Sequence, residues 1–165
     1  MLTVGLDVHK QFTYACILNN EGAVVHTERF DSTPQAIEQF GQKRLARDCQ
    51  VALEATTNCL AFAKLLRRYT GQVTISNPMQ TTIAHARIKT DKVDAEVLGQ
   101  LLRTKFLPTV WEPDENTQEL RRRVAHRQAL MSMRIQTKNR IHSILHRNLV
   151  SLPKVSDLFG KTGRK

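Results

Sequence analysis

Leu2, Val4, Leu6 and Val8 alternate with Thr3, Gly5 and Asp7. A period of two predicts a strand with its aliphatic side chains on one face and Asp7 on the other. Phe12 to Leu18 is a second run of β-forming residues. Asn19-Asn20-Glu21-Gly22 is turn chemistry, and Ala23 to Phe30 resumes as a third strand. Three consecutive strands with short connections predict an antiparallel meander. The period then changes. Asp31 or Ser32 stands where a helix cap belongs, Pro34 suits a first helical turn, and Ile37, Phe40 and Leu45 give that helix an apolar side. Gln50 to Leu53 is a short fourth strand ending at Glu54. Leu60, Phe62, Ala63, Leu65 and Leu66 line a second helix closed by Gly71, and Val73 to Ser76 is a fifth strand broken by Asn77-Pro78. From Asp91 to Lys105, Val93, Val97, Leu98, Leu101 and Leu102 recur at helical spacing. Pro108 and Pro113 bracket a linker around Trp111.

One long helical pattern follows, from about Asp114 to Leu149, with Asn116 and Glu119 as a variant capping box. Leu120, Val124, Leu130, Met133, Ile141, Ile144 and Leu145 form a broken apolar seam along it. About 35 residues at 1.5 Å each reach some 50 Å, more than a small domain can cover. The helix is therefore expected to project and to pair with another, such as a second copy of itself. Ser151 to Lys165, with Pro153, Gly160 and Gly163, shows no period and is expected to be a flexible tail. The plan is thus a domain over 1–112, a helical arm over 113–150 and a tail over 151–165.

Charge sharpens that division. Of the net +10, residues 1–113 carry 13 Lys/Arg against 11 Asp/Glu, and residues 114–165 carry 12 against 4. The arm holds eight cations between Arg121 and Leu149 and no acid: Arg121, Arg122, Arg123, Arg127, Arg134, Lys138, Arg140 and Arg147. Such a run repels itself, so an anionic partner is expected. The seam lacks Trp and Phe, which argues against a membrane surface. Few aromatics accompany the cations, so backbone and shape recognition of duplex or structured RNA fits better than base stacking along the arm. Cys16, Cys49 and Cys59 are odd in number and have no CxxC spacing, which predicts packed, reduced thiols in a cytoplasmic protein. No apolar run nears the roughly 20 residues that span a bilayer, and Thr3, Gly5 and Asp7 interrupt any signal-peptide core.

Four carboxylates then stand out. Asp7 lies in Gly5-Leu6-Asp7-Val8-His9-Lys10, Glu54 in Leu53-Glu54-Ala55-Thr56, and Asp91 and Asp94 in Lys89-Thr90-Asp91-Lys92-Val93-Asp94-Ala95. Each has an ordinary explanation. A strand can end in an acid, and acids in a first helical turn complement the helix dipole. Together they fall on a pattern. The order βββαβαβ followed by a helix is the layout of the RNase H-like fold, in which the first strand is central and the fourth lies beside it. Asp7 and Glu54 are then neighbours, and a helix crossing the same edge brings Asp91 and Asp94, at i and i+3 on one face, to them. Two like charges about 4 Å apart repel by roughly 4 kcal/mol at an effective dielectric near 20, so such a cluster calls for cations. Hard oxygen donors select Mg²⁺ or Mn²⁺, and a pair of such ions is suited to displacement at phosphorus. His9 and Lys10 are placed either to touch a phosphate or to end a strand at the surface. His142 and His146 have a zinc-compatible spacing but no third ligand.

These segments, with Asn77-Pro78 and the closing Leu158-Phe159-Gly160-Lys161-Thr162-Gly163-Arg164, resemble the N-terminal region of the DEDD-type transposases of bacterial insertion sequences. Their catalytic domain is similar to the Holliday-junction resolvase RuvC. The resemblance spans essentially the whole chain, and Lys-Thr-Asp-x-x-Asp-Ala is its most specific element. It implies an α/β, RuvC-like mixed five-stranded sheet with flanking helices, followed by the projecting basic helix. It also implies a metal-binding catalytic tetrad of Asp7, Glu54, Asp91 and Asp94 holding two Mg²⁺ or Mn²⁺ ions. The implied activity is metal-dependent DNA strand cleavage and transfer in transposition, guided by a structured RNA, in the bacterial cytoplasm at the nucleoid. Lys10, Lys89, Lys92 and the arm cations would bind nucleic acid. There are two departures. Thr57 replaces the family's usual Gly, with Asn58-Cys59 where an aromatic pair is common, so a different loop is expected after Glu54. Complete members also carry a C-terminal domain with a DNA-attacking serine, so this chain is expected to be incomplete. Two other readings remain: a non-catalytic nucleic-acid-binding module, and half of an actin-like ATPase, which Val8, His9 and Lys10 after Asp7 disfavour.

Overall fold

The computed structural model describes residues 1–81 and 90–163. It divides into two units, Met1–Glu112 and Pro113–Lys165. In the first, the strands are β1 (Thr3–Val8), β2 (Phe12–Leu18), β3 (Val24–Asp31), β4 (Gln50–Glu54) and β5 (Gln72–Ser76). Its helices are α1 (Pro34–Arg44), α2 (Cys59–Leu66) and α3 (Asp91–Arg103). The sheet order is β3-β2-β1-β4-β5. β1, β2 and β3 pair antiparallel, while β4 and β5 join β1 in parallel. The predicted meander and the central β1 with β4 at its side are both present. This is the RNase H-like topology.

The pleat decides what each face carries. Val4, Leu6 and Val8, with Ala15, Ile17, Val51, Leu53, Val73 and Ile75, bury one face under Ile37 and Phe40 of α1 and Phe62, Ala63 and Leu66 of α2. On the other face, Cys16 and Leu18 pack against Ala95 of α3, and Ala52 packs against Leu98, Leu102 and Leu107. Asp7 shares that second face, as the period-two reading requires. α3 lies unusually close to β1: a Cβ on Gly5 would stand 1.8 Å from the Ala95 carbonyl oxygen and 2.6 Å from the Gly99 amide nitrogen. The far end of α3 is tied down as well, where the Gln100 side-chain amide donates to the Gly22 carbonyl at 2.6 Å.

Several local expectations are corrected. Thr33 caps α1, accepting from the Ala36 amide at 3.3 Å, because the Ser32 hydroxyl is already committed to the His9 carbonyl at 2.8 Å. α2 ends at Leu66 in a turn of its own, and Gly71 instead meets the Arg47 carbonyl through its amide, at 3.1 Å. The segment from Pro108 is not all linker. The Asn77 amide donates to the Pro108 carbonyl at 2.9 Å and the Val110 amide to the Ile75 carbonyl at 3.0 Å. These bonds cover the otherwise open edge of β5, while Leu107 is buried and Glu112 pairs with Arg67 at 2.6 Å. All three cysteines are buried and unbridged, and burial pushes the Cys16 thiol up to about 11.

The second unit is dominated by α4 (Glu115–Arg147), 33 residues with none buried. Asp114 caps it, accepting from the Thr117 amide at 2.7 Å. Glu119 does not close a capping box; it holds Arg122 and Arg123, at 2.9 and 2.8 Å. Beyond α4 the chain contacts the helix again: the Phe159 ring meets His142 edge-on at 5.2 Å, and Lys138 lies 3.7 Å from Asp157. Among the described residues, no helix is long and apolar enough to cross a membrane.

Candidate metal centre

Asp7 leaves β1 at its C-terminal end, on the α3 side of the sheet. β4 runs parallel beside it in register, with Leu6 opposite Leu53. One residue further on, Asp7 and Glu54 occupy the ends of adjacent strands, whose spacing is about 4.8 Å. Val51 and Leu53 point into the opposite core, so alternation puts Glu54 on the same face as Asp7. Thr81 holds it there, its hydroxyl donating to Glu54 Oε1 at 3.1 Å.

α3 supplies the other two acids from its first turn, where Thr90 caps the helix and the dipole favours carboxylates. Asp94, Ala95, Leu98, Gly99 and Leu102 form the buried stripe of that helix, with Asp94 only 8% exposed. Asp94 thus heads the line of residues facing the sheet, and Asp91 precedes it at the rim. The close approach at Gly5 sets the distance between this turn and Asp7.

His9 connects two of the acids. Its Nε2 stands 3.1 Å from Asp7 Oδ2 and 3.3 Å from Asp91 Oδ1. One donor atom from each of Asp7, His9 and Asp91 lies within 4.8 Å of the others, a spread that one cation spans; Glu54 and Asp94 fall outside that group. Electrostatics points the same way. Burial raises the Asp7 carboxyl above its ordinary value, His9 opposes the rise, and the charges of Asp91 and Asp94 add to it. Asp94 is therefore within electrostatic reach of Asp7. A carboxyl that resists ionisation beside further acids is short of positive charge, and the oxygen donors gathered there fit a hard divalent ion.

Sequence reasoning singled out all four acids but missed two supports. His9 had a legible signal, since i and i+2 on a strand share a face. Thr81, in the turn after β5, had none. Of the expected nucleic-acid contacts, Lys10 and Lys92 are exposed beside the cluster, and Lys89 lies outside the described residues. On α4, Arg121, Arg122, Arg123, Arg127, Arg134, Arg140 and Arg147 are exposed, and Lys138 is half-buried against the segment after the helix.

Such a sheet, with acids gathered where its central strands end, defines an RNase H-like domain with a candidate metal site. Residues 4–149 match the family model described as Transposase, of the IS110 DEDD type. The chain belongs to that transposase family. Among solved structures it is similar to Thermus thermophilus RuvC, at 15% identity over 67% of this chain and 100% of that one, with a TM-score of 0.44. T. thermophilus RuvC in complex with a Holliday junction substrate matches at 13% identity over 67% and 99%, with a TM-score of 0.41. No curated protein matches.

Proposed function

We propose that the chain carries the metal-dependent strand-cleaving site of a DNA transposase, with Asp7, Glu54, Asp91 and Asp94 as its acids. The observation that carries this reading is the convergence of Asp7 and Asp91 on one imidazole, beside Asp94 and in register with Glu54. Asp7, with Glu54 on one side and the α3 acids on the other, would hold two Mg²⁺ or Mn²⁺ ions together with them. When bound, such ions activate an attacking hydroxyl and neutralise charge on the phosphate and leaving oxygen. The protein's part is positional. Register fixes Glu54 against Asp7, Thr81 orients Glu54, and the Gly5 contact fixes the first turn of α3. His9 holds Asp7 and Asp91 together and is itself held by the Ser32 hydroxyl on its carbonyl.

The arm supplies the second half of the reading. Its cations would grip duplex DNA or a structured guide RNA through phosphates. Its exposed Leu120, Val124, Leu130, Met133, Ile141 and Ile144 would pair with a second copy.

Asp7→Asn tests the site. With Mg²⁺ or Mn²⁺, cleavage of labelled DNA by the full chain is expected to fall at least about a hundredfold, while DNA affinity stays within about twofold. Unchanged cleavage would remove the site. Absence of metal-dependent cleavage by the parent, with Mn²⁺ failing to bind at the acids, would leave a passive nucleic-acid-binding module.

A further inference from the structure

The acids account for one end of a longer strip. Tyr14 is paired with Asp7 on one side and with Arg29 on the other, so the three lie in one row across β1, β2 and β3 on the α3 face. Phe12, two residues before Tyr14, shares that face. α3 covers Gly5, Cys16 and Leu18 but not the end of the sheet: Tyr14 and Phe12 remain half-buried and Arg29 is exposed. The open row is ordered. The Arg29 guanidinium lies over the Phe12 ring, 4.0 Å from its centroid. The Phe12 ring stands 4.7 Å from the His9 ring, and His9 touches Asp7 and Asp91. Contacts thus run without a break from the acids through an imidazole and a phenyl ring to a guanidinium. Lys10, next in the chain to His9, and Lys92, next to Asp91, are both exposed.

We propose that this strip is a stacking platform for one base of the DNA strand entering the acidic site, with Arg29 as the surface on which the base lies. The proposal rests on the DNA-cleaving reading and specifies how that site receives its substrate. An acid cluster alone repels a phosphodiester chain, whereas Arg29, Lys10 and Lys92 at its border attract one. A guanidinium pressed on an aromatic ring is held flat, with little freedom left to lose, and presents its second face to a planar partner. Unstacked bases are taken up on such planes whatever their sequence, and stacking is the contact that an ordered arginine–phenyl pair offers beyond charge. A duplex with its bases paired inside presents no face to it. The strip therefore selects a locally opened strand, one base away from the phosphate at the acids.

The test uses the full chain without divalent metal, so that its result stands apart from any outcome of the cleavage assay. Oligothymidylate carrying one 5-iodouracil is bound, irradiated and mapped by mass spectrometry. Crosslinks are expected at Tyr14, which lies beside Arg29 in the same row. Arg29→Ala is expected to lower that crosslink yield about tenfold, and Arg29→Lys to restore the salt-dependent part of the affinity without restoring the crosslink. An oligonucleotide with an abasic residue at the same place should bind parent and Arg29→Lys alike. Thermal unfolding of each variant establishes that it is folded. Crosslinks confined to α4, a yield indifferent to Arg29→Ala in folded protein, or capture of oligouridylate RNA in place of DNA would each overturn the platform.

Discussion

Asp7 is the residue on which charge, burial and geometry disagree most. Burial comes first among the causes that raise its carboxyl, with Asp91 and Asp94 adding to the rise and His9 opposing it. A carboxyl raised by folding contributes stability that is complete below the unfolded value, near 3.8, and that disappears as pH climbs through the raised folded value. At neutral pH ionised Asp7 is therefore a cost to the metal-free fold. Asp7→Asn, which keeps the shape and removes the charge, is expected to raise the metal-free melting temperature at pH 7 by a few degrees and to lose that advantage below about pH 4. A lower melting temperature at pH 7 would contradict the proposed crowding of charge. The four acids were singled out by the pattern they make together on the predicted element order, since each alone has an ordinary local explanation. His9 was visible as a neighbour but not as a bridge, since only the folded chain brings Asp91 to its other side. Thr81 and Arg29 were illegible for the same reason, as each acts on a residue brought near by folding alone.

At the scale of elements, the position of the site depends on how closely α3 approaches β1. Gly5 and Gly99 make that approach possible, and at Gly5 the neighbouring atoms are backbone, which cannot turn aside as a side chain can. Gly5→Ala is expected to destabilise the domain by about 3 kcal/mol or more, at the upper end of overpacking costs, and to push Asp91 and Asp94 away from Asp7. Denaturant unfolding reads the first effect and Mn²⁺ titration the second; a variant with parental stability and metal affinity would show that the helix can shift freely. The element order and most boundaries were readable from periodicity, because strands and helices here are short and cleanly amphipathic. Caps were less so. Asp31, Ser32 and Thr33 all have capping chemistry, and the choice of Thr33 follows from Ser32 being engaged with the β1–β2 turn. The stub that covers β5 was read as linker because a proline-bounded segment carries no period, and its pairing is set by an edge elsewhere in the chain.

At the scale of the molecule, the proposed reading assigns chemistry to the first unit and grip to the second. Arg127, Arg134 and Arg140 are exposed along α4, and removing each phosphate-binding cation should reduce the salt dependence of nucleic-acid affinity by about one unit of slope. The variant with all three changed to Ala is expected to bind several-fold more weakly at low salt, with a slope shallower by up to about 3. An unchanged slope would take the arm out of the interface. Sedimentation of the parent reads out the pairing of α4, a monomer at all concentrations being the contrary result. The order of the acids along the chain has one more consequence. Position 7 leaves the ribosome more than eighty residues before position 94, and Asp7 meets Asp91 only once α3 has docked on Gly5. In the catalytic reading, a half-synthesised copy is harmless to the genome around it, and so is a copy truncated before α3. On that reading, the capacity to cut DNA would be absent until the last layer of the sandwich closes.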